Sequence, residues 1–204
     1  MQLIIADKRY SSWSLRGWLA VRLAAVPCEE VMVRLFQPGT RARILQYSPA
    51  GKVPVLVTEH GTIADSLAIA EYLADHHPGL WPRDVAARAQ ARSACEQMHS
   101  GFMALRQAMP FDLRRDQALE PMPADVQADI ERMLALWGEC RALKTSDGPW
   151  LFGQLSLADA YFAPVAVRLR TYQVALPPEA AAYVETIYQW PAFQAWRQAG
   201  LEEV

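Results

Sequence analysis

The short segment that follows the first apolar run of the chain contains three serine hydroxyl groups. Ser11, Ser12 and Ser14 lie within four consecutive positions. A hydroxyl group in such a turn can donate a hydrogen bond to a thiolate and so favour the ionised form of a bound thiol. The same residues also fit a plain turn in which one serine caps the following helix, and Ser14 is the residue that we expect to do so. The segment therefore predicts either a thiol-activating turn or an ordinary serine-rich one.

The Val53-Pro54 dipeptide is a second candidate, because it opens an apolar run. Proline cannot donate to a sheet, so it belongs at the start or the edge of a strand. A cis peptide bond here would turn the chain sharply and open the N–H and C=O of Val53 to an extended peptide ligand. An ordinary trans proline at a sheet edge is the alternative that the dipeptide leaves open.

A third candidate is Asp65-Ser66, which begins a predicted helix soon after that strand. The N-terminus of a helix offers free N–H groups and partial positive charge, which suit a ligand carboxylate. Asp65 could accept a hydrogen bond from a ligand ammonium while Ser66 donates to the carboxylate. Plain capping of the helix explains the same two residues.

The elements that must hold these residues follow an α/β order over residues 1–77. Short apolar or alternating runs indicate strands, and apolar side chains three or four residues apart indicate helices. Gly61 marks a hairpin turn between the last two strands. The predicted order is strand, helix, strand, helix, strand, strand, helix, at residues 3–5, 15–23, 31–35, 41–46, 53–57, 62–64 and 65–73.

A linker over residues 78–83 leads into a second predicted domain, over residues 84–204, that shows no strand pattern. Its first helix is predicted as one continuous element, because apolar residues step by three and four positions at Cys95, Met98, Phe102, Leu105 and Met109. Pro123 suits the first turn of the next helix. A third helix is predicted to begin near Ser156, and shorter ones to cover 179–188 and 190–199. This domain should be all-α.

Composition and charge exclude several classes of function. The 204 residues are 52% hydrophobic and 21% charged with a net charge of -2, so nothing favours binding to nucleic acid or to an anionic membrane. The three cysteines form no Cys-x-x-Cys pair and the four histidines show no ligand spacing, so no metal site is predicted. No apolar run approaches the ~18 residues of a membrane span, and the N-terminus lacks a secretory pattern. We expect a cytoplasmic protein.

Together, these features resemble the glutathione transferases. The α/β order, Val53-Pro54 and the segment Asp65–Leu73 (DSLAIAEYL) are similar to the glutathione-binding domain of that family. The segment Gly153–Asp159 (GQLSLAD) resembles the motif that begins a helix of its second domain, where Ser156 caps the helix and Asp159 bonds back to the N–H of the cap. The resemblance covers the whole chain and implies a thioredoxin-like α/β domain followed by an all-α domain, in a homodimer.

The resemblance also implies the residues of the site. Glutathione would be held by Ser11, Lys52, Val53, Pro54, Asp65 and Ser66, although Lys52 is equally well explained as a solvated lysine. The second substrate would lie near Trp13, His99, Phe102 and Arg106, which could equally form the contact between the domains. No metal takes part.

The serine turn of this chain, Ser11-Ser12-x-Ser14-x-Arg16, resembles the serine-bearing turn of zeta-class transferases. Alignment from Arg16 makes Ser11 the activating residue, whereas theta-type spacing would favour Ser12, and we expect Ser11 to be the one. The zeta class carries a cysteine where this chain has Trp13, which argues against zeta-type isomerisation and against thiol–disulfide reductase chemistry.

The function implied is that of a glutathione transferase, with glutathione as co-substrate. The enzyme would activate the glutathione thiol for attack on a small apolar electrophile. A glutathione-dependent isomerase and a non-enzymatic glutathione-binding module of the same fold are the alternatives.

Overall fold

The N-terminal part of the chain folds around one small sheet. A computed structural model of the protein describes residues 1–203. The predicted order of elements is confirmed: β1 (Gln2–Ala6), α1 (Ser12–Ala24), β2 (Glu29–Val33), α2 (Thr40–Leu45), β3 (Val55–Thr58), β4 (Gly61–Ala64) and α3 (Ser66–His76).

The four strands form a mixed sheet in the order β2-β1-β3-β4. β1 runs parallel to β2 and antiparallel to β3, and β3 and β4 form an antiparallel hairpin. Alternate side chains of a strand point to opposite faces, so β1 contributes to two cores. Leu3 and Ile5 pack in the large core with α1 and α3, whereas Ile4 packs with Ile44 of α2 and Val55 of β3.

β2 ends two residues earlier than the predicted strand over 31–35. The N–H of Leu35 donates to Oδ2 of Asp7 instead of to a neighbouring strand. Phe36 then adopts a φ of +57°, which takes the chain out of extended conformation. Since Asp7 follows β1, the loop after β2 is tied to the loop after β1.

The second part of the chain is helical, as predicted. No helix within residues 1–203 is long and apolar enough to cross a membrane. Val204, the last residue of the predicted second domain, lies outside the described residues. The helices are α4 (Val85–Ser100), α5 (Met103–Ala108), α6 (Ala124–Arg141), α7 (Leu157–Thr171), α8 (Pro178–Gln189) and α9 (Pro191–Glu202).

The prediction of one continuous helix from Cys95 to Met109 is wrong, because the chain breaks between α4 and α5. Phe102 adopts a φ of +55°, in the left-handed region. Gly101 passes so close to α4 that a Cβ there would lie 2.7 Å from the carbonyl oxygen of Gln97. The apolar side chains on both sides of the break remain buried. The spacing therefore predicts burial correctly but not continuity.

The predicted capping box at the start of α7 is confirmed. The N–H of Ser156 donates to Oδ2 of Asp159 at 2.8 Å. Asp159 is fully buried and also accepts from the N–H of Leu151 at 3.1 Å and from the hydroxyl of Tyr183 in α8 at 3.0 Å. Burial outweighs these donors and raises the pKa of Asp159 to about 6. The carboxyl group therefore joins the start of α7 to the preceding loop and to α8.

The last helix returns to the N-terminal domain. Trp196 of α9 packs edge-on against Trp18 of α1 with 5.4 Å between ring centroids, and its Nε1–H donates to the carbonyl oxygen of Lys8 at 3.0 Å. The Glu203 carboxylate accepts from the N–H groups of Lys8 at 2.9 Å and of Arg9 at 3.0 Å. The loop between β1 and α1 is therefore fixed from the far end of the chain.

Candidate active site

A cavity of about 780 Å³ opens where the two domains meet. Phe102 is the one residue proposed from the sequence that does not line it, because its side chain lies in the helical core at the break between α4 and α5. No three histidine, cysteine or acidic side chains within residues 1–203 are arranged to hold a metal ion. The other ten proposed residues line the cavity: Ser11, Ser12, Trp13, Lys52, Val53, Pro54, Asp65, Ser66, His99 and Arg106.

The N-terminus of α3 forms one wall. Asp65 caps this helix, since its Oδ1 accepts from the N–H of Leu67 at 2.7 Å. Its Oδ2 lies 3.2 Å from Nε2 of His99 across the domain boundary. The backbone of Asp65 has a φ of +96°, a conformation that costs about 1–3 kcal/mol and that concentrates at functional sites. The N–H of Ser66 has no acceptor within residues 1–203, so α3 offers a free donor.

Ser66 is buried beside a tyrosine from the helical domain. Its Oγ lies 2.9 Å from the hydroxyl oxygen of Tyr161. Burial raises the pKa of Tyr161 well above its ordinary value, so the phenol keeps its proton. When Tyr161 donates to Ser66, the hydrogen of the Ser66 hydroxyl is free for a ligand acceptor. The sequence gives no sign of this contact, because Tyr161 lies in an apolar stretch that indicates only a buried helix.

The segment before β3 forms a second wall. The Val53-Pro54 peptide bond is cis, the geometry weighed above against a trans proline. Pro54 packs closely on α1 at Gly17, where a Cβ would lie 2.8 Å from Cγ of Pro54. Neither the N–H nor the C=O of Val53 has a partner in the described part of the chain. Lys52 is exposed beside it.

The cap of α1 is Ser11, so the prediction that Ser14 caps this helix is wrong. The N–H of Ser14 donates to Oγ of Ser11 at 3.2 Å, and the hydroxyl of Ser11 donates to Oγ of Ser14 at 2.8 Å. Ser14 lies inside the helix, where its Oγ accepts from the N–H of Ala6 at the end of β1 at 2.9 Å. The hydroxyl hydrogen of Ser11 is therefore already used within the protein.

Ser12 occupies the first turn of α1 and has different partners. Its Oγ accepts a hydrogen bond from Nη2 of Arg168 at 3.4 Å, and its own hydroxyl hydrogen has no acceptor among residues 1–203. The N–H groups of Ser12 and Trp13 also have no acceptor in this part of the chain. Unpaired N–H groups at a helix N-terminus attract anions. A thiolate at this end of α1 could therefore accept from one hydroxyl and two N–H groups.

The wall on the helical side is aromatic and basic. Trp13 packs edge-on against His99 with 5.0 Å between ring centroids. The guanidinium groups of Arg16 and Arg106 lie over the Trp13 ring at 4.5 and 5.0 Å. Nη1 of Arg106 donates to the carbonyl oxygens of His99 and Gly101, at 3.1 and 3.2 Å, at the break between α4 and α5. This wall therefore carries positive charge in addition to apolar surface.

Neither Arg16 nor Arg168 was predicted from the sequence as a residue of the site. Both are buried, and neither forms an ion pair with a carboxylate among the described residues. Burial lowers the pKa of Arg16 to about 10. Burial together with the charges of Arg16 and Arg106 lowers the pKa of Arg168 to about 9. A buried arginine is costly without a partner. An arginine inside the apolar stretch of α7 was the signal that could have found this cluster.

The fold and the cavity together define a class of protein. A thioredoxin-like domain is joined to an all-helical domain, and a cavity at their junction carries two helix N-termini, as in glutathione transferases. Residues 10–76 match the family model "Glutathione S-transferase, N-terminal domain", and residues 86–199 match "Glutathione S-transferase, C-terminal domain". The chain belongs to the glutathione S-transferase family.

Individual relatives agree with this assignment. A Caenorhabditis elegans protein named "Probable maleylacetoacetate isomerase" is 29% identical over 193 residues, which cover 91% of this chain and 88% of that protein. A sphingomonad glutathione S-transferase solved in complex with glutathione is 26% identical, with a TM-score of 0.67 and 100% of both chains covered. A Burkholderia glutathione transferase homologue with bound glutathione is 24% identical, with a TM-score of 0.71 and 99% and 98% covered.

Proposed function

We propose that this glutathione transferase binds glutathione along the α/β wall of the cavity and activates its thiol at the N-terminus of α1. One observation carries the proposal, namely the convergence of three kinds of group on a single cavity. These groups are the Asp65-capped start of α3, the unpaired backbone of Val53 and the unpaired N–H groups at the start of α1. Each suits one part of a γ-glutamyl tripeptide.

The two ends of glutathione differ in charge. The γ-glutamyl end carries an ammonium and a carboxylate, so Oδ2 of Asp65 would accept from the ammonium while Ser66 donates to the carboxylate. The N–H and C=O of Val53 would pair with the extended cysteinyl backbone, as an added strand does. Lys52 would reach the glycyl carboxylate. The relative solved in complex with glutathione supports this co-substrate.

The cysteinyl thiol would then lie at the start of α1. A free thiol with a pKa of ~8.5 is only a few per cent ionised at neutral pH. Hydrogen-bond donors and the partial positive charge of a helix N-terminus favour the thiolate. Ser11 and Ser12 are the two candidate hydroxyl donors, and the bond from Ser11 to Ser14 supports Ser12.

The second substrate would be a small electrophile held against Trp13, His99 and Arg106. The Trp13 ring offers it an apolar surface, and Arg106 offers a charge to a polar substituent. The proposed location is the cytoplasm, and the proposed assembly is a homodimer.

A glutathione-dependent isomerase acting on a carboxylate-bearing substrate is the second candidate. The guanidinium group of Arg106 lines the cavity beside Trp13 and has no carboxylate partner within residues 1–203, so it would suit a substrate carboxylate. The name of the Caenorhabditis elegans relative supports the same chemistry.

Two measurements test these candidates. Calorimetry should detect glutathione binding to the purified protein, and its absence would overturn both. Incubation with glutathione and a panel of electrophiles should then consume one thiol for each product formed. An isomerase would convert maleylacetoacetate with no net loss of thiol. Binding with neither reaction would leave the non-enzymatic glutathione-binding module.

A further inference from the structure

Arg168 belongs to the helical domain, yet its guanidinium group reaches the first turn of α1. Its Nε donates to the carbonyl oxygen of Met109 at 2.9 Å, and its Nη1 donates to that of Pro164 at 3.3 Å. These two bonds fix the plane of the guanidinium group and direct Nη2 to Oγ of Ser12 at 3.4 Å. Arg168 is 5% exposed, so the surrounding protein holds this orientation.

The charge of Arg168 is not balanced by a carboxylate. The charged and titratable groups that act on it are Arg16 on α1, Arg106 on α5 and Tyr172 just after α7, and the two arginines oppose its charge. No acidic side chain within residues 1–203 forms an ion pair with it. A buried charge of this kind is costly unless an anion is close to it. An anion at the start of α1 would therefore relieve the cost.

Ser12 connects this charge to the cavity. A guanidinium group that donates to a hydroxyl oxygen polarises the O–H bond, because hydrogen bonds in a chain strengthen one another. The Ser12 hydroxyl lines the cavity, and its hydrogen has no acceptor in the described residues. Ser11 differs, because its hydrogen already bonds to Oγ of Ser14 at 2.8 Å. The chain of donors from Arg168 therefore passes through Ser12 to a ligand.

We propose that Arg168 is a positioning residue that orients and polarises the Ser12 hydroxyl, which makes Ser12 the catalytic donor to the thiolate of bound glutathione. The inference rests on the proposed function, since it needs a thiol at the start of α1. In this step the S–H bond breaks, the proton passes to water, and the sulfur keeps the electron pair while Ser12 donates to it. Thiol activation is thereby shared between the two domains.

The test compares Arg168→Met with Arg170→Met in the full chain. Arg170 is a matched control, because it lies on the same helix but pairs with Glu185 at the surface. The pKa of bound glutathione is read from ultraviolet thiolate absorbance at saturating glutathione. Arg168→Met should raise this pKa by about one unit or more, because the Ser12 hydroxyl loses the charged donor that orients and polarises it. Arg170→Met should leave the thiol pKa and the glutathione affinity unchanged.

Two further variants keep the test decisive if Arg168→Met fails to fold. Arg168→Lys keeps a positive charge but loses the planar fork that directs Nη2, so it should give a smaller upward shift. The double variant Ser12→Ala/Arg168→Lys should shift the thiol pKa no further than Ser12→Ala alone, because Arg168 acts through Ser12.

Three results would overturn the inference. These are an unchanged thiol pKa in the Arg168 variants, additive shifts in the double variant, or a loss of turnover confined to carboxylate-bearing substrates at an unchanged thiol pKa. The last result would assign Arg168 to the second substrate. Wild-type protein that shows no glutathione-dependent thiolate absorbance would instead overturn the proposed function.

Discussion

Replacing Asp159 by alanine removes the acceptor of four buried donors at the start of α7. These are the N–H of Leu151 at 3.1 Å, the N–H of Ser156 at 2.8 Å, the hydroxyl of Ser156 at 3.2 Å and the hydroxyl of Tyr183 at 3.0 Å. A buried donor left without a partner costs about 1–3 kcal/mol, so the four together cost about 8 kcal/mol. The estimate exceeds the ~1 kcal/mol of an exposed cap, because these groups cannot turn to water instead.

The same replacement also removes a buried charge. The pKa of Asp159 rises from 3.8 to about 6. At about 1.4 kcal/mol per unit, ionising this carboxyl in the folded protein costs about 3 kcal/mol at neutral pH. The net loss in unfolding free energy should therefore be about 5 kcal/mol, or about 10–20 °C in melting temperature for a chain of this size.

The pH dependence of the loss provides the sharper test. Because the folded-state pKa is raised, the carboxyl stabilises the fold most below pH 3.8 and loses this contribution as the pH rises through about 6. Wild-type protein should therefore gain about 1 kcal/mol from this group between pH 7 and pH 5, a gain that Asp159→Ala lacks.

Urea unfolding followed by circular dichroism at pH 5, 6 and 7 measures the difference. Asp75→Ala serves as the control, since Asp75 is exposed on α3 and makes no side-chain hydrogen bond within residues 1–203. A difference that stays constant or shrinks as the pH falls would refute the reasoning, because the hydrogen bonds would then outweigh burial. Folded Asp159→Ala protein should keep its specific activity, whereas normal stability with lost activity would place Asp159 in the site.

Three further outcomes are expected. Asp65→Ala should weaken glutathione binding about ten- to a hundred-fold by calorimetry, because a charge-assisted hydrogen bond contributes about 1.5–3 kcal/mol. Asp65→Ala should also lower the melting temperature, because the α3 cap is lost, whereas Asp65→Asn should lose only glutathione affinity. Equal glutathione affinity in the wild type and both variants would show that Asp65 only caps α3. Ser11→Ala should lower the melting temperature with little change in the pKa of bound glutathione, because Ser11 caps α1. A raised thiol pKa at normal stability would instead identify Ser11 as the donor to the thiolate. Light scattering at micromolar concentration should give twice the chain mass of 22.9 kDa, and a monomer would count against the homodimer.

Sequence reasoning succeeded where one local signal decides the structure. Asp65-Ser66 begins α3 because the aspartate side chain meets the free N–H groups of its own helix. Ser156 and Asp159 cap α7 for the same local reason. The break at Phe102 escaped detection, because the apolar spacing of three and four residues continues across it into the same core.

The helical side of the cavity could not be read from the sequence. Tyr161 and Arg168 lie on α7, whose buried pattern shows that the helix is internal but not which side chains meet α1. Ser11 and Ser14 pose a similar problem, since either serine suits a cap and only the position of β1 decides between them. The roles of these four residues depend on contacts between elements that are distant in sequence. The spacing of apolar residues within one helix or strand carries no information about such contacts.

The bond between Glu203 and the loop after β1 orders events during protein synthesis. Lys8 and Glu203 are 195 positions apart. At about 5–20 residues per second, Lys8 is synthesised about ten to forty seconds before Glu203. The four strands all lie within the first 64 residues and can pair during that interval. The local bonds of the turn, from Ser11 to Ser14 and from Ala6 to Ser14, can form in the same interval, whereas its two bonds to Glu203 form only after α9 has docked.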